Sequence, residues 1–404
     1  MTTRTQIIPL VLVVACVVFA AEGPDVLGFF PIMPWSGTTG TAEDLSRMAE
    51  CYMSICGFCR ADQLDAVAAA GLVGIVQDPR LNYDWGGTID VTQMREKIRS
   101  LVSEVGDHPA LFGYYLRDEP SAEMFDNLAL VADELRKEDP EAAAYINLFP
   151  NYASPQQLGT ESYEEHVSRF AETVRPPFIS YDHYCMTESG TSYDLYFANL
   201  AVVRRVAIEH GVPFWNIVLG CGLHMLRVPN EADLRWQVYT TLAYGGKGIS
   251  YYRYRIRPDA NFRMGPVDEF GNLTETYYAM QRVNHRVAML GPTMMRLRST
   301  RVTHVFAEEP LFELPEECEA FSPDAVLSDI TGGDFVVGQF EDEDGRSCFM
   351  IVNLSLTRSA RYWVTLADPQ AKLRMISDVT GNEQGAGLSD WLAPGQGRLL
   401  VVTK

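Results

Sequence analysis

Short apolar segments alternate with amphipathic segments eight times between Asp25 and Pro292. The apolar segments are continuous, which is typical of parallel strands that are buried on both faces, and the amphipathic segments have the apolar spacing of helices. Eight strand–helix units in about 270 residues predict an α/β fold of the (β/α)8 TIM-barrel type, with a doubly wound open sheet as the alternative. The predicted strands cover residues 26–33, 54–59, 72–77, 111–116, 143–148, 178–181, 214–219 and 248–253.

The pattern changes after Pro292. Short segments of alternating polarity are separated by turns such as Gly332-Gly333, which is typical of antiparallel strands. We expect Gly291-Pro292 to end the last barrel helix at Leu290, because proline disrupts the helical hydrogen-bond pattern. The sequence thus predicts a catalytic-type barrel over residues 22–292 and an antiparallel β-sandwich accessory domain over residues 293–404. The predicted sandwich strands cover residues 335–340, 348–353, 361–366, 373–378 and 398–402.

Residues 1–21 have the composition of a secretory signal peptide. Arg4 precedes an apolar segment from Ile7 to Ala21, which is short for a membrane span, and small residues predict cleavage after Ala20 or Ala21. Alternatively, residues 13–16 resemble a bacterial lipobox, and Cys16 then becomes a lipid-anchored N-terminus. Both interpretations predict an exported protein, periplasmic or extracellular, without an integral membrane span.

The net charge of −20 at pH 7 disfavours nucleic acids and anionic membranes as partners, because both are polyanionic. Besides Cys16 the chain has seven cysteines, and an odd number scattered over a large chain predicts buried free thiols rather than a disulfide scaffold. Cys51, Cys56 and Cys59 have no matching pair of ligands elsewhere in the sequence. We therefore expect neither a metal nor another cofactor.

The fourth predicted strand ends in two carboxylates and a proline, Asp118-Glu119-Pro120. Proline cannot continue a central strand, so the carboxylates lie where the strand ends and the next helix begins. Parallel α/β folds place their chemistry at this end of the strands. Asp118 and Glu119 are therefore candidate catalytic residues.

In a barrel, side chains at the carboxyl ends of all eight strands converge on one pocket. The residues predicted there combine aromatic rings, amides, imidazoles and carboxylates, and the sequence has neither a Ser-His-Asp arrangement nor a zinc-binding helix motif. Aromatic faces stack on sugar rings and polar groups bind hydroxyls, so this set predicts a carbohydrate substrate. The candidate substrate-binding residues are Trp35, Asp78, Asn147, His183, Tyr184, His224, Tyr252 and Arg253.

With Asp118-Glu119-Pro120 on strand 4, the aromatic strand 249–254 and a trailing sandwich, the chain resembles the large (β/α)8 glycoside hydrolase clan of β-galactosidases and cellulases. That clan has Asn-Glu-Pro on strand 4, so the resemblance implies O-glycosyl hydrolysis with Glu119 as the general acid. The chain departs from the clan in two places. Strand 7, which bears the clan's nucleophilic Glu, ends here in Gly220-Cys221-Gly222, and Asp118 replaces the Asn.

These departures leave open which residue provides the second catalytic carboxylate. Asp182, at the end of strand 6, is the first candidate, either as the base of an inverting reaction or as a ligand for a sugar hydroxyl. Asp118 is the second, although alternation along a strand predicts that it faces away from Glu119, and Asp78 is the third. Glu119 itself could instead pair with Arg117. Without a nucleophile, the alternatives are a carbohydrate-binding barrel without turnover and a metal-assisted or lyase barrel.

Overall fold

The computed structural model describes residues 29–258, 260–307 and 310–404. The predicted signal peptide and the alternative lipid anchor at Cys16 lie outside these ranges, so both stay predictions. Within the described ranges, no helix is long and apolar enough to cross a membrane.

Strands and helices alternate along the first part of the described chain, as predicted. Eight strands form one parallel sheet: β1 (Ile32–Pro34), β2 (Ile55–Cys59), β3 (Val73–Val76), β4 (Leu111–Asp118), β5 (Ala143–Leu148), β6 (Ile179–Asp182), β7 (Phe214–Leu219) and β8 (Gly248–Tyr252). Each strand is followed by a helix: α1 (Ala42–Glu50), α2 (Leu64–Ala69), α3 (Val91–Val105), α4 (Phe125–Glu138), α5 (Tyr163–Val174), α6 (Tyr193–Glu209), α7 (Glu231–Ala243) and α8 (Glu275–Arg296).

The sheet closes on itself. Its order is β1-β8-β7-β6-β5-β4-β3-β2, so each strand lies beside its neighbours in sequence and β1 pairs with β8. The N–H of Ser54 donates to the carbonyl oxygen of Ile32 (2.9 Å), and the N–H of Phe58 donates to that of Ser36 (3.1 Å), which joins β1 to β2. These bonds confirm the predicted TIM barrel rather than the open sheet.

Side-chain caps fix where several helices begin. The side chain of Thr41 accepts from the N–H of Asp44 at the start of α1, and Asp90 and Asn230 cap α3 and α7 in the same way. Each such cap stabilises a helix by about 1 kcal/mol. The chain between a strand end and its cap forms the loops at the carboxyl end of the barrel.

The last barrel helix is longer than the sequence predicts. Instead of ending at Leu290, α8 continues to Arg296 with Pro292 inside it. Proline removes one N–H donor from the helix, but the helix end gains a partner, because the ammonium group of Lys247 binds the carbonyl oxygens of Met294 and Leu297. This tertiary contact stabilises the turns beyond the proline.

Aromatic side chains fill the barrel. Phe178 and Trp215 stack with ring centroids 3.9 Å apart, and Trp35 packs edge-on against Phe58 at 4.7 Å. These rings form one buried cluster with Tyr145. Since the interior is packed rather than open, a ligand can meet the barrel only at its ends.

Beyond α8 the chain forms two antiparallel sheets around a shared core, which confirms the predicted β-sandwich. The five predicted strands are present with ends within two residues of those expected, and four further strands were not predicted. The six-stranded sheet has the order β9 (Arg298–Val305), β11 (Phe335–Glu341), β12 (Ser347–Asn353), β17 (Gly397–Thr403), β14 (Lys372–Ile376) and β15 (Glu383–Ala386), and the three-stranded sheet has the order β10 (Leu327–Thr331), β13 (Ala360–Leu366) and β16 (Ser389–Leu392).

Two glycines let the six-stranded sheet approach α7 closely. A Cβ atom at Gly338 would lie 1.8 Å from the carbonyl oxygen of Ala243, and one at Gly397 would lie 2.5 Å from the ring of Tyr239. The sheet therefore covers the outer face of α7, and nearly all side chains of this helix are buried. Barrel and sandwich share this packed boundary.

Candidate active site

β4 ends at Asp118, and Glu119 turns the chain away from the sheet. Glu119 has a φ of 45°, in the left-handed region that residues other than glycine seldom adopt. Its N–H donates to the carbonyl oxygen of Asn147 on β5 (2.8 Å), and Pro120 follows. A left-handed residue costs about 1 kcal/mol and persists where its surroundings fix it, as at many active sites.

The strand register brings polar side chains into one row across the barrel mouth. Asp118 on β4 lies opposite Asn147 on β5, and Asn147 lies opposite Ser180 on β6. Asp182 follows Ser180 by two residues and so shares its side of the strand. Three neighbouring strands thus bring two carboxylates and an amide together.

Asn147 joins the two aspartates. Its Nδ2 donates to Oδ1 of Asp118 (3.1 Å) and to Oδ1 of Asp182 (2.9 Å), while its Oδ1 accepts from the hydroxyl of Ser180 (2.9 Å). The Ser180 hydroxyl also meets the phenol of Tyr145 (3.0 Å). Because both bonds start from one nitrogen, the two carboxylate oxygens lie no more than about 6 Å apart.

Asp118 does not face away from this site, contrary to the expectation from strict alternation. β4 has register shifts against both neighbours, between Gly74 and Ile75 of β3 and between Tyr115 and Arg117 on β4 itself. As a result, Phe112 and Tyr115 pack in the barrel interior although they are three residues apart. Asp118 is three residues further along and faces Asn147. The register shifts therefore override the usual alternation of successive side chains between the two faces of the strand.

All three carboxyl groups have raised pKa values. Burial and the charge of Asp118 raise the pKa of Glu119 to about 7. Burial raises the pKa of Asp118, partly offset by the bond from Asn147 and the charge of Arg117, and burial and the other two carboxylates raise that of Asp182. Desolvation and neighbouring negative charge both favour the neutral form of a carboxyl group, so Glu119, with a pKa of about 7, is partly protonated near neutral pH.

Within the described residues, the carboxylate of Glu119 has no ion pair, so the alternative pairing with Arg117 is not found. The charge of Arg117 acts instead on Asp118. A half-buried carboxyl group without a cationic partner and with a pKa near 7 has the properties of a general acid.

Asp118, Glu119 and Asp182 together form what we call the carboxylate cluster, and tyrosines surround it. Tyr184 and Tyr252 stack with centroids 5.4 Å apart, and burial followed by the charge of Asp182 raises the pKa of Tyr184. Tyr152, which the sequence analysis missed, lies near Asp182 and Glu119 and is 51% exposed. Its ring packs edge-on against His183 at 5.0 Å. An exposed aromatic ring beside carboxylates is suited to stack on a sugar.

No protein-family profile matches the chain, and no curated protein matches its sequence. Solved structures match its fold. A catalytic mutant of Gan42B, a family 42 β-galactosidase from G. stearothermophilus, has a TM-score of 0.58 and 10% identity over 93% of this chain and 98% of that chain. A family 5 glycoside hydrolase from Bacteroides vulgatus has a TM-score of 0.57 and 11% identity over 93% and 89%. A β-galactosidase from the psychrophilic Marinomonas ef1 has a TM-score of 0.52 and 11% identity over 69% of this chain and 63% of that chain.

The fold is that of the (β/α)8 glycoside hydrolases. At these identities the likeness concerns the fold, and this chain spans less than two thirds of the Marinomonas enzyme. The glycoside hydrolase fold has a trailing sandwich here, as the sequence resemblance implied.

Other residues predicted for the site have varied positions in this glycoside hydrolase fold. Arg253 follows β8 with its guanidinium 5.1 Å from the ring centroid of Phe262. Trp35 is only 8% exposed and packs within the barrel filling. Asp78 binds Arg80 through both carboxylate oxygens, each at 2.8 Å, and these bonds lower the pKa of Asp78.

The two predicted histidines differ in burial. His183 is buried, Nδ1 of its ring lies 3.0 Å from the side-chain oxygen of Asn199, and burial lowers its pKa to about 4, so it is neutral near pH 7. His224 is exposed in a turn after β7, where its carbonyl oxygen accepts from Arg263 (3.1 Å). Neither imidazole is bonded to the carboxylate cluster.

Metal donors are not grouped in the described part of the chain. Among its residues, no set of three or more His, Cys, Asp or Glu side chains is arranged to hold a metal ion. Its seven cysteines all have free thiols, as the sequence predicts. The chemistry that the described site offers is proton transfer by carboxyl groups among aromatic rings.

Proposed function

We propose that this protein hydrolyses O-glycosidic bonds of an oligosaccharide or polysaccharide, with Glu119 as the proton donor. The observation that carries the proposal is the carboxyl group of Glu119, half-buried beside Asp118 with a pKa near 7 and no ion pair within the described residues. The likeness of the fold to glycoside hydrolases supports the same reaction class.

The reaction needs a protonated donor and a stabiliser of positive charge at the anomeric carbon. Glu119 protonates the glycosidic oxygen, and its pKa near 7 leaves it protonated in neutral and acidic solution. Asp118, held by the amide that it shares with Asp182, lies beside it as the group that stabilises this positive charge. Tyr152, Tyr184 and Tyr252 offer rings for the sugar to stack on.

The test is hydrolysis of a panel of natural and nitrophenyl glycosides by the wild type, by Glu119→Gln and by Glu123→Gln as the control. Glu123 is an exposed carboxylate of the same loop. We expect Glu119→Gln to lose about 100- to 10,000-fold in kcat/KM on natural glycosides, the usual contribution of a general acid, and much less on nitrophenyl glycosides. Those leaving groups depart without a proton, so a purely structural role would not produce this difference.

The wild-type rate also has a defined pH dependence. Because the donor acts in its protonated form, kcat/KM should fall as pH rises through about 7, and Glu119→Gln should lack this fall. Equal loss of activity on both leaving groups would contradict the role of Glu119 as acid.

The second candidate function is carbohydrate binding without turnover. It is favoured by the end of β7, where Gly220-Cys221-Gly222 stands without a carboxylate. Saccharide binding measured by calorimetry, unchanged in Glu119→Gln and without hydrolysis of any glycoside by the wild type, would support this function instead.

A further inference from the structure

The free carboxylates lie on one side of the barrel mouth. Asp118 ends β4, Glu119 follows it and Asp182 ends β6, and both strands are neighbours of β5. Across the mouth, β7, β8 and β1 end without a carboxylate in the described chain. A nucleophile or a water-activating base has to face the anomeric carbon from the side opposite the proton donor. Protein carboxylates are absent from the described strand ends on that side.

Three carboxylates in the loops at this end of the barrel have other partners. Glu188, after β6, binds Arg263 at 2.9 Å, and Asp268, after β8, accepts hydrogen bonds from Asn272 in its own turn. Asp78 is held by Arg80. Held in this way, these three carboxylates are not free to attack the anomeric carbon, and the reaction needs a group that does.

We propose that the substrate supplies it: the protein hydrolyses glycosides of 2-acetamido-2-deoxy sugars, whose acetamido carbonyl oxygen attacks the anomeric carbon while Asp118 binds the acetamido N–H. This inference rests on the glycoside hydrolysis proposed above and names its substrate class.

Asp118 has the position that this role requires. It precedes Glu119 directly and its charge acts on the Glu119 carboxyl group, so we assign it to the C2 substituent next to the scissile bond. Only Oδ1 of Asp118 is bonded, to Asn147, and Oδ2 has no hydrogen-bond partner in the described chain. Asp118 is half-buried, whereas Asp182 is 6% exposed and lies behind the same amide. Asp118 is therefore the accessible acceptor of the pair.

We assign Tyr184 to the other end of the acetamido group. Its phenol is near both Asp182 and Asp118 and donates to no described protein group. A phenol O–H there can bind the acetamido carbonyl oxygen and orient it for attack.

The reaction balances with water as the only co-reactant. In the first step the acetamido oxygen forms a bond to C1, the bond from C1 to the leaving oxygen breaks, and the proton of Glu119 moves to that oxygen. Asp118 stabilises the positive charge of the resulting oxazolinium ring or takes its N–H proton. In the second step the Glu119 carboxylate removes a proton from water, the water oxygen bonds to C1, and the bond from C1 to the oxazoline ring oxygen breaks; Asp118 returns to the nitrogen any N–H proton that it has taken, which restores the acetamide. The product has retained configuration.

The experiment compares the wild type on nitrophenyl glycosides, of both anomeric forms, that differ only at C2: hydroxyl, acetamido, and mono-, di- and trifluoroacetamido. Fluorine withdraws electrons from the attacking oxygen. We expect the acetamido sugar to react at least about 100-fold faster than the hydroxyl sugar, since an intramolecular nucleophile acts at high effective concentration, and the rate to fall with each fluorine. Inhibition by a 1,2-fused thiazoline of the sugar, a stable analogue of the oxazoline, is expected as well.

Asp118→Asn tests the role of the protein, with Asp126→Asn, an exposed aspartate on α4, as the control. Loss of the stabilising charge should lower hydrolysis of the acetamido sugar by about 100- to 1000-fold and weaken binding of the thiazoline. The binding measurement requires no turnover and is accompanied by a thermal melt, so a folding defect is recognised.

The outcomes separate the two proposals. Equal rates for hydroxyl and acetamido sugars, or rates independent of fluorination, would overturn substrate participation and leave glycoside hydrolysis standing. An Asp118→Asn variant that folds and binds the thiazoline as the wild type does would remove Asp118 from the mechanism. No hydrolysis of any glycoside would overturn the proposed function and this inference together.

Discussion

The carboxylates of this molecule are of two kinds. Some, such as Asp78 and Asp44, have a cationic partner, and those of the carboxylate cluster have none within the described residues. Asp78 has bonds from Arg80 at 2.8 Å, and Asp44 meets Arg255 at 3.3 Å as well as the hydroxyls of Thr38 and Thr39. Hydrogen bonds from Arg80 lower the pKa of Asp78. Burial alone would raise the pKa of Asp44, but its hydrogen bonds and the charge of Arg255 bring it below the ordinary value.

The carboxylate cluster is the opposite case. Burial raises the pKa of all three groups, neighbouring carboxylates raise it further for Glu119 and Asp182, and the amide of Asn147 partly offsets the rise for Asp118 and Asp182. Paired carboxylates stabilise the fold, whereas the cluster reduces its stability when it ionises. A protein that keeps three poorly compensated carboxylates in one place has a use for them, which is why the proposed function rests on this cluster.

Among the tests of this comparison, the largest effect is expected from removing the side-chain amide of Asn147, which donates hydrogen bonds to the cluster. Asn147→Ala leaves Asp118 and Asp182 without their shared N–H groups and should lower kcat/KM on the best glycoside by about 100- to 1000-fold. Their pKa values should rise further, so the pH of half-maximal activity on the acidic side should move upward.

The control for this variant is Asn382→Ala, an exposed asparagine of the sandwich region. A pH profile that stays in place, with activity within threefold of the wild type, would show that the amide does not hold the cluster in its working state.

The sequence was sufficient to predict the fold because the alternation of apolar strands and amphipathic helices persists over eight units. It could not show the register shifts on β4, since a bulge leaves no signature in the pattern of polarity. Strict alternation therefore predicts the wrong face for Asp118. The continuation of α8 through Pro292 depends on Lys247, which is distant in sequence, and no local rule includes that contact.

The candidate site was predictable in its chemistry and less so in its arrangement. Glu119 and Asp182 were found from their places at strand ends, and the cluster brings them together. The linking role of Asn147 follows from the register of three strands, which the sequence leaves undetermined. Tyr152 was missed because it lies in the loop after Pro150, although an aromatic residue so soon after a strand end was a usable signal.

A second prediction concerns stability and its dependence on pH. The pKa of Glu119 is about 7 in the folded protein and has its ordinary, lower value in the unfolded chain, so the folded state binds this proton more tightly. The stability from this group is present below the unfolded pKa and is lost as pH rises through about 7. Glu119→Gln cannot ionise, so it should be more stable than the wild type by about 2 to 3 kcal/mol at pH 8 and nearly equal at pH 5.

Urea unfolding at the two pH values measures this difference, with Glu123→Gln expected to match the wild type at both. A Glu119→Gln variant that is less stable than the wild type at pH 8 would mean that the carboxylate has a partner that compensates its charge.

The smallest effect is expected at Asp78, which has a cationic partner. Here the substitution should lower the stability of the protein rather than raise it. Asp78 has a lowered pKa, so its contribution is present above the unfolded pKa and is lost as pH falls through the folded one. Asp78→Asn should therefore lower the free energy of unfolding by about 1 kcal/mol at both pH 5 and pH 8, and by less in 1 M salt, which screens the bond to Arg80. Urea unfolding beside Asp126→Asn as the exposed control measures it. A gain in stability would place Asp78 with the cluster and remove the distinction between paired and unpaired carboxylates on which the choice of Glu119 depends.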